Sequence, residues 1–205
     1  MNWTYWQQLA AHSGGVLYVM AGLFTVALTI GIERTWVLRS VTRHGAGILN
    51  AVAALAAQDH AALAALRDTQ ARSLHGLLLT AALDTAAPSL AQRLDELIMR
   101  HVPLLDRHLW LLDTTVTLAP LLGLLGTIVG MFHAFQVLAA PGTAPHAVTS
   151  GVAEALIATA AGLLIAVIGL LFFNGLNERV RLAVHQLDTL KVMLVNRFAA
   201  DGEVR

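Results

Sequence analysis

Leu118-Ala119-Pro120-Leu121-Leu122-Gly123-Leu124-Leu125-Gly126-Thr127-Ile128-Val129-Gly130-Met131 is the stretch that decides how this chain folds. It carries no charge, and the apolar run continues on both sides of it. About 20 apolar residues are what a helix needs to cross the hydrocarbon core of a bilayer. Its only interruptions are glycines, one proline and one threonine, which transmembrane helices tolerate. After a short uncharged turn comes a second apolar segment, Gly151-Val152-Ala153-Glu154-Ala155-Leu156-Ile157-Ala158-Thr159-Ala160, with a lone acid inside it. A carboxylate in a hydrocarbon slab is costly, so it normally faces a cavity, a partner or an ion path. These residues therefore point to ion conduction across a membrane.

Composition agrees. The 205 residues are 57% hydrophobic and only 13% charged, too apolar for an ordinary soluble domain. Zero formal net charge leaves no basic field for phosphate, so nucleic acid is excluded as a partner. Without cysteine there is no disulfide, no thiolate metal site and no cysteine nucleophile. Of the nine histidines, His101 and His108 are seven apart on one stripe and the rest are scattered. A zinc site needs three or four ligands with a supporting shell, so neither metal nor cofactor is expected. No nucleophile arrangement or paired acids suggest an enzyme.

The expected fold is an all-α integral membrane protein of one domain over residues 1–205. Its three transmembrane helices fall at about 14–36, 114–140 and 147–173. The N-terminal Met1-Asn2-Trp3-Thr4-Tyr5-Trp6 lacks the basic region of a signal peptide and has the aromatic content of an interface, so the first window reads as a retained span. All 13 Lys and Arg residues lie between Arg34 and Arg107 or from Arg179 onward. The positive-inside rule then puts the N-terminus and the turn at Pro141-Gly142-Thr143-Ala144-Pro145-His146 outside, and the central segment and C-terminus inside.

The inside parts, about 40–112 and 177–200, show helical periodicity. Ser89 with Gln92 forms a capping-box signature after the break at Asp84–Pro88. Leu90, Leu94, Leu97, His101, Leu104, His108 and Leu111 make one stripe that feeds straight into the second span, bent at Pro103, which removes a backbone donor. Val180, Val184, Leu187, Leu194 and Phe198 make another stripe beyond the third span. Spans two and three are thus expected to extend as helices into the cytoplasm.

The candidate polar residues can be placed by depth from the outer ends. Thr127 is roughly 20 Å deep, Thr159 roughly 18 Å and Glu154 roughly 10 Å. Two hydroxyls would then meet at one level, with a carboxylate nearer the outside, as a candidate ion pathway. The plainer readings are back-bonding of each threonine to its own helix, a small interhelical contact, or a structural hydrogen bond for Glu154. Gly123, Gly126 and Gly130, with Pro120 nearby, read as helix-packing positions, since Gly126-x-x-x-Gly130 lets another backbone come close. His133, in the outer third of span two, is a secondary candidate for proton relay against ordinary packing. Asp113 reads as a solvated boundary residue, and Glu33-Arg34 as an interfacial pair with snorkelling side chains.

At these residues the chain resembles the ExbB/TolQ/MotA family of proton-driven motor subunits. The resemblance rests on Ala119 through Met131 and on Gly151 through Gly162, with Asn174 closing the third span, about a third of the chain. Gly14-Gly15-Val16-Leu17-Tyr18 through Ile32-Glu33-Arg34 also looks like ExbB, whereas His133-Ala134-Phe135 and Ala155-Leu156-Ile157-Ala158-Thr159 look equally like TolQ. MotA proteins are longer and have four spans. The resemblance implies a homopentamer around a central pore that holds the single-span helices of an ExbD- or TolR-like dimer. It also implies residence in the bacterial inner membrane, with a periplasmic N-terminus and a cytoplasmic C-terminus. Thr127 and Thr159 match pore-lining threonines and Glu154 the family's acidic residue there. The transported ion is implied to be H⁺, with Na⁺ the alternative, and the work passes to a TonB-like or TolA-like transducer. The corresponding functions are energising TonB-dependent outer-membrane transport or, alternatively, the Tol-Pal envelope system. A non-conducting membrane scaffold is the remaining reading. Where related chains usually carry a proline in the second half of span three, this one reads Ala166-Val167-Ile168-Gly169-Leu170.

Overall fold

The structure, a computed structural model, describes residues 15–56, 59–71, 73–138 and 145–203. The aromatic stretch Met1–Trp6 and residues 141–144 of the outer turn lie outside the described residues. Among the described residues the regular elements are all helices. They are α1 (Val16–Ala54), α2 (His60–Gln70), α3 (Leu74–Asp84), α4 (Ala87–Leu105), α5 (Leu109–Leu138) and α6 (Pro145–Glu203). Three stretches, within Val16–Ala54, Pro88–Leu138 and Thr149–Ala199, are long and apolar enough to cross a membrane. The described chain forms two compact units.

The first unit holds the described residues up to Ile32 together with His108–Asn174. Its core brings Val16 and Met20 of α1 against Ala119 of α5 and Ile165 of α6, with Phe24, Leu122 and Ala161 packed around them. Toward Ile32 the Phe172 ring lies over Gly31, where a β-carbon would come within 2.8 Å of it. Outward, Leu121, Phe132, Phe135, Leu164 and Leu171 are each more than half exposed. A continuous surface of that kind calls for hydrocarbon or another protein chain against it. Thr25 and Thr29 return their hydroxyls to carbonyls one turn back, at 2.8 Å each, so they offer lipid no unsatisfied donor.

The second unit holds Glu33–Arg107 and the described residues from Gly175 onward. Here α6 buries Leu176, Val180, Ala183, Leu187, Leu190 and Leu194, at spacings of four and three that put them on one helix face. Leu38, Ile48 and Val52 of α1 and Leu90 and Leu94 of α4 are buried likewise. Two N-caps follow the usual chemistry. Asp59 accepts from the Ala62 amide and Ser73 from the Gly76 amide, both at 2.9 Å, each supplying a partner for a donor that the first turn leaves free.

Helix α4 differs from its sequence reading at both ends. Its N-cap is Ala86, with no side-chain cap bond, and the Ser89 hydroxyl instead donates to the Ala86 carbonyl at 3.3 Å. Pro88 explains the shift: its fixed φ and missing donor suit the first turn, so the helix begins before Ser89 can cap it. At the other end α4 stops at Leu105, two residues after Pro103, and α5 starts at Leu109. His108 between them has φ 67°, a left-handed conformation that ends a helical stripe. The stripe from Leu90 to Leu111 is therefore not continuous, and Leu104 is 58% exposed.

Arg34 and Arg197 hold helix ends. Arg34 is buried and donates to the carbonyls of Leu104, at 3.1 Å, and of Leu105, the last residues of α4. The reading of Arg34 as a snorkelling partner of Glu33 is corrected here. A guanidinium has five donors and fits the carbonyls that a helix C-terminus leaves unpaired. Arg197 does the same at the end of α1, reaching the carbonyls of Val52, Leu55 and Ala56 at 2.9–3.0 Å. Lys191 and Asp95 join α6 to α4 at 2.6 Å; partly exposed, the pair contributes modestly.

A buried polar cluster joins α1, α3 and α6. Gln186 donates to the Thr42 carbonyl at 3.1 Å, and its amide oxygen and the His75 ring both crowd the space over Gly45. A side chain at Gly45 would displace both. His75 is 1% exposed, and burial, with the neighbouring His44 second, pushes its imidazole down to about 4. The unfolded chain therefore takes up a proton near pH 6.5 that the folded chain refuses until pH 4. The contribution of neutral His75 is fully present above pH 6.5 and is lost as pH falls toward 4, by about 1.4 kcal/mol per pH unit. Denaturant unfolding of the detergent-solubilised protein, followed by circular dichroism, is expected to show a loss of stability between pH 6.5 and 4.5 that His75→Gln reduces. An identical pH slope in the two proteins would refute the assignment.

Candidate functional site

α5 turns a row of small residues toward α6, and α6 answers with its own. A β-carbon added at Gly123 would lie 3.0 Å from Thr159 Cα, and one at Gly126 2.7 Å from Ala158 Cβ. At Gly130 it would lie 2.7 Å from Ala155 Cβ; from the other side, Gly151 would meet Ala134 at 2.9 Å and Gly162 the Ala119 carbonyl oxygen at 2.5 Å. Glycine on one helix thus faces alanine or backbone on the other at every rung. The reason is physical: lipid tails are as apolar as leucine, so membrane helices associate through van der Waals contact and need small residues to bring their backbones together.

This row fixes the placement of the candidate polar groups. The Thr159 hydroxyl donates across the interface to the Gly123 carbonyl at 2.9 Å, a bond between helices that the close approach permits. The Thr127 hydroxyl, in a buried residue, donates to the Leu124 carbonyl of its own helix at 2.7 Å. Thr159 therefore sits opposite Gly123, four residues or about 6 Å along α5 from Thr127. The two hydroxyls nevertheless lie close in level, because they bond the carbonyls of consecutive residues of α5, Gly123 and Leu124, about 1.5 Å apart in rise. The register behind this arrangement is set by which small residues interlock.

Glu154 precedes Ala155, the residue packed on Gly130, and is half-buried. It accepts from the Ser150 hydroxyl one turn back, at 3.5 Å. The other candidates lie apart. His133 is exposed, with its ring edge-on to Phe132 at 6.1 Å between centroids. Asn174 and Asp113 are exposed, and Pro120 is half-buried within α5. The structure thus brings Gly123, Gly126, Gly130 and Thr159 into one interface, with Thr127 buried on the same stretch of α5 and Glu154 next to a rung. It does not bring His133 or Asn174 into that group. Among the described residues no group of three or more His, Cys, Asp or Glu could hold a metal ion.

The sequence reading missed Ala119, Ala155, Ala158 and Gly162 as packing residues, although each forms one side of a rung between α5 and α6. The signal was present: Gly151, Ala155, Ala158 and Gly162 recur at four, three and four residues, a small-residue seam on the third helix matching the one on the second.

Comparison with known proteins bears on this arrangement. Residues 58–189 match the MotA/TolQ/ExbB proton channel family. The chain is 31% identical over 169 residues to the putative biopolymer transport protein ExbB-like 3 of Synechocystis, covering 79% of this chain and 80% of that protein. It is 32% identical over 185 residues to ExbB-like 1 of the same organism, covering 85% of this chain and 70% of that protein. The Tol-Pal system protein TolQ of Haemophilus influenzae is 39% identical over 82 residues, 40% of this chain and 36% of that protein. This chain belongs to the MotA/TolQ/ExbB family.

The packing makes a sharp contrast between glycines. At Gly162 a methyl group would strike the Ala119 carbonyl oxygen and the Gly123 backbone, neither of which can rotate away, whereas at Gly22 nothing lies within 4 Å. Gly162→Ala is expected to destabilise by roughly 1–3 kcal/mol, the usual cost of overpacking. Gly22→Ala should be neutral or slightly stabilising, because alanine is the better helix former. Thermal melts of the detergent-solubilised variants, monitored by fluorescence size exclusion, check this; equal melting points for the two would contradict the packing account.

Proposed function

We propose that this chain is the three-span subunit of an ion-driven motor in the bacterial inner membrane. In this reading it assembles as a homopentamer around a pore that holds the single-span helices of an ExbD- or TolR-like dimer. Glu154, Thr159 and Thr127 belong to the ion pathway, H⁺ is the ion, and a TonB-like transducer carries the work to outer-membrane transport. The observation that carries this reading is the lone carboxylate of Glu154, half-buried beside the α5–α6 interface in a chain of this family. An acid retained at that depth is costly unless it serves a path or a partner. The similarity to a TolQ protein keeps the Tol-Pal system as the alternative pathway.

One observation favours a scaffold role for the hydroxyls: both donate to backbone carbonyls, as structural threonines do. Two measurements on the same variants separate the readings. Thr159→Val and Glu154→Gln nearly preserve shape, so they should assemble with the partner in normal yield and yet abolish partner-dependent proton flux in liposomes. Thr127→Val should be similar or milder, because an apolar constriction dewets. Full flux in all three variants would remove the path, and loss of assembly would make these residues structural.

The proposed orientation, with the N-terminus periplasmic and the C-terminus cytoplasmic, rests on the one-sided distribution of cations. Single cysteines at Thr143 and at Arg72, probed on intact cells whose outer membrane has been permeabilised to a membrane-impermeant maleimide, are expected to label at Thr143 only. The reverse pattern would invert the topology.

A further inference from the structure

Six cations of the second unit have partners among the described residues, while Arg39, Arg43, Arg100 and Arg179 have none. Arg67 pairs with Asp68, Arg93 with Glu96, Arg181 with Glu178 and Lys191 with Asp95, and Arg34 and Arg197 hold helix ends. The side chains of Arg39 and Arg43 make no hydrogen bond or ion pair among the described residues, and both are exposed. They lie three and seven residues after Trp36, which is 77% exposed on the same helix. Spacings of three, four and seven bring side chains to one helix face, so an indole and two free guanidinium groups share one stripe of α1. Their order along the helix is informative. The uncharged run of the first span ends at Ile32; Trp36 lies one turn beyond it, Arg39 about 4.5 Å after Trp36 and Arg43 about 10 Å after it. The polar layer on each side of the hydrocarbon is roughly 5–7 Å thick, and long arginine side chains reach back toward it. An indole settles at that boundary, and both cations then fall at the depth of the lipid phosphates.

We infer that the α1 stripe of Trp36, Arg39 and Arg43 binds anionic phospholipid headgroups of the adjoining leaflet. The charge complementarity is specific to a phosphodiester with a net negative charge. A zwitterionic headgroup carries its own cation and gains much less from two guanidinium groups. Glu33, the nearest acid along the helix, lies six residues from Arg39, about 9 Å toward the bilayer centre, and does not neutralise the pair. The inference rests on the membrane-spanning reading above and on neither the pore nor the partner.

The test uses the full chain with Trp3→Phe, Trp6→Phe and Trp110→Phe, which leaves Trp36 as the only fluorophore of its kind. The protein is reconstituted into phosphatidylcholine vesicles containing either brominated phosphatidylglycerol or, at the same fraction, brominated phosphatidylcholine. Bromine quenches only an indole it touches. Phosphatidylglycerol is expected to be preferred at Trp36 by roughly fivefold or more at low salt, a preference that falls as salt is raised. Arg39→Gln with Arg43→Gln should bring the preference to one and leave quenching by phosphatidylcholine unchanged; both sites are exposed, so folding is not at stake. A preference of one in the parent would overturn the inference, and so would absence of quenching by either lipid, which would mean that another protein chain covers the stripe. Both lipids occupy both leaflets and no ion flux is read, so failure of the motor reading or of the orientation would leave this result interpretable.

Discussion

The constraint on which the first unit depends is the distance between the backbones of α5 and α6. In water two helices are driven together by what they bury; in a bilayer that drive is absent, and contact itself has to supply the energy. Contact is available here because glycine meets alanine or backbone from Ala119–Gly162 at one end to Ala134–Gly151 at the other. The bond from Thr159 to the Gly123 carbonyl accompanies it. A side chain at Gly123 would meet Thr159 and Ala158 backbone atoms at 3.0–3.1 Å, push α6 outward and lengthen that bond. The register is thereby locked, and with it the level at which Glu154 stands relative to Gly130. The candidate site is a consequence of the seam.

The second unit solves a different problem. Its helices carry leucine faces that bury in the ordinary way, but their ends leave carbonyls that must find donors. Arginine supplies them at two places, Arg34 at the end of α4 and Arg197 at the end of α1. Each opposes the negative end of a helix dipole with a positive charge, and each links residues far apart in sequence. Removing either guanidinium would therefore strand carbonyls at a helix terminus as well as delete a charge. Arg34 is nearly inaccessible, whereas Arg39 and Arg43 on the same helix are exposed. Neighbouring arginines on one helix thus serve burial and surface separately.

The apolar lengths of the spans and the small-residue faces were legible because each is periodic and local. What was not legible depends on partners distant in sequence. The sequence around Ser89 offers a good capping box, but Pro88 starts α4 first, and nothing local ranks the two signals. The break at His108 falls within an unbroken stripe of apolar and histidine residues; the left-handed φ of His108 is a tertiary choice that a non-glycine residue gives little sign of. Arg34 beside Glu33 looks like a surface pair until α4 is seen to end next to it. That Thr127 and Thr159 bond the carbonyls of consecutive residues on α5 could not be counted from span ends, since a shift of a few residues in either end moves the estimate by a full turn. Interlocking glycines set the register far more tightly than hydrophobic length does.

The hydrogen bonds of the two threonines also bear on what kind of ion such a site can serve. A hydroxyl has one proton and two lone pairs. Thr127 and Thr159 both commit the proton to a backbone carbonyl, so what each has left to offer is lone pairs. An ionised Glu154 is likewise an acceptor only. On the proposed ion pathway, groups that accept and do not donate would favour hydronium, a water chain carrying a proton or a small metal cation, and disfavour an anion. The same bonds limit movement: a hydroxyl that turned to donate to a passing ligand would leave a carbonyl in a bilayer short of one partner, at a cost of about 1–3 kcal/mol. A preference for cations on that proposed pathway would therefore follow from how the helices are held together.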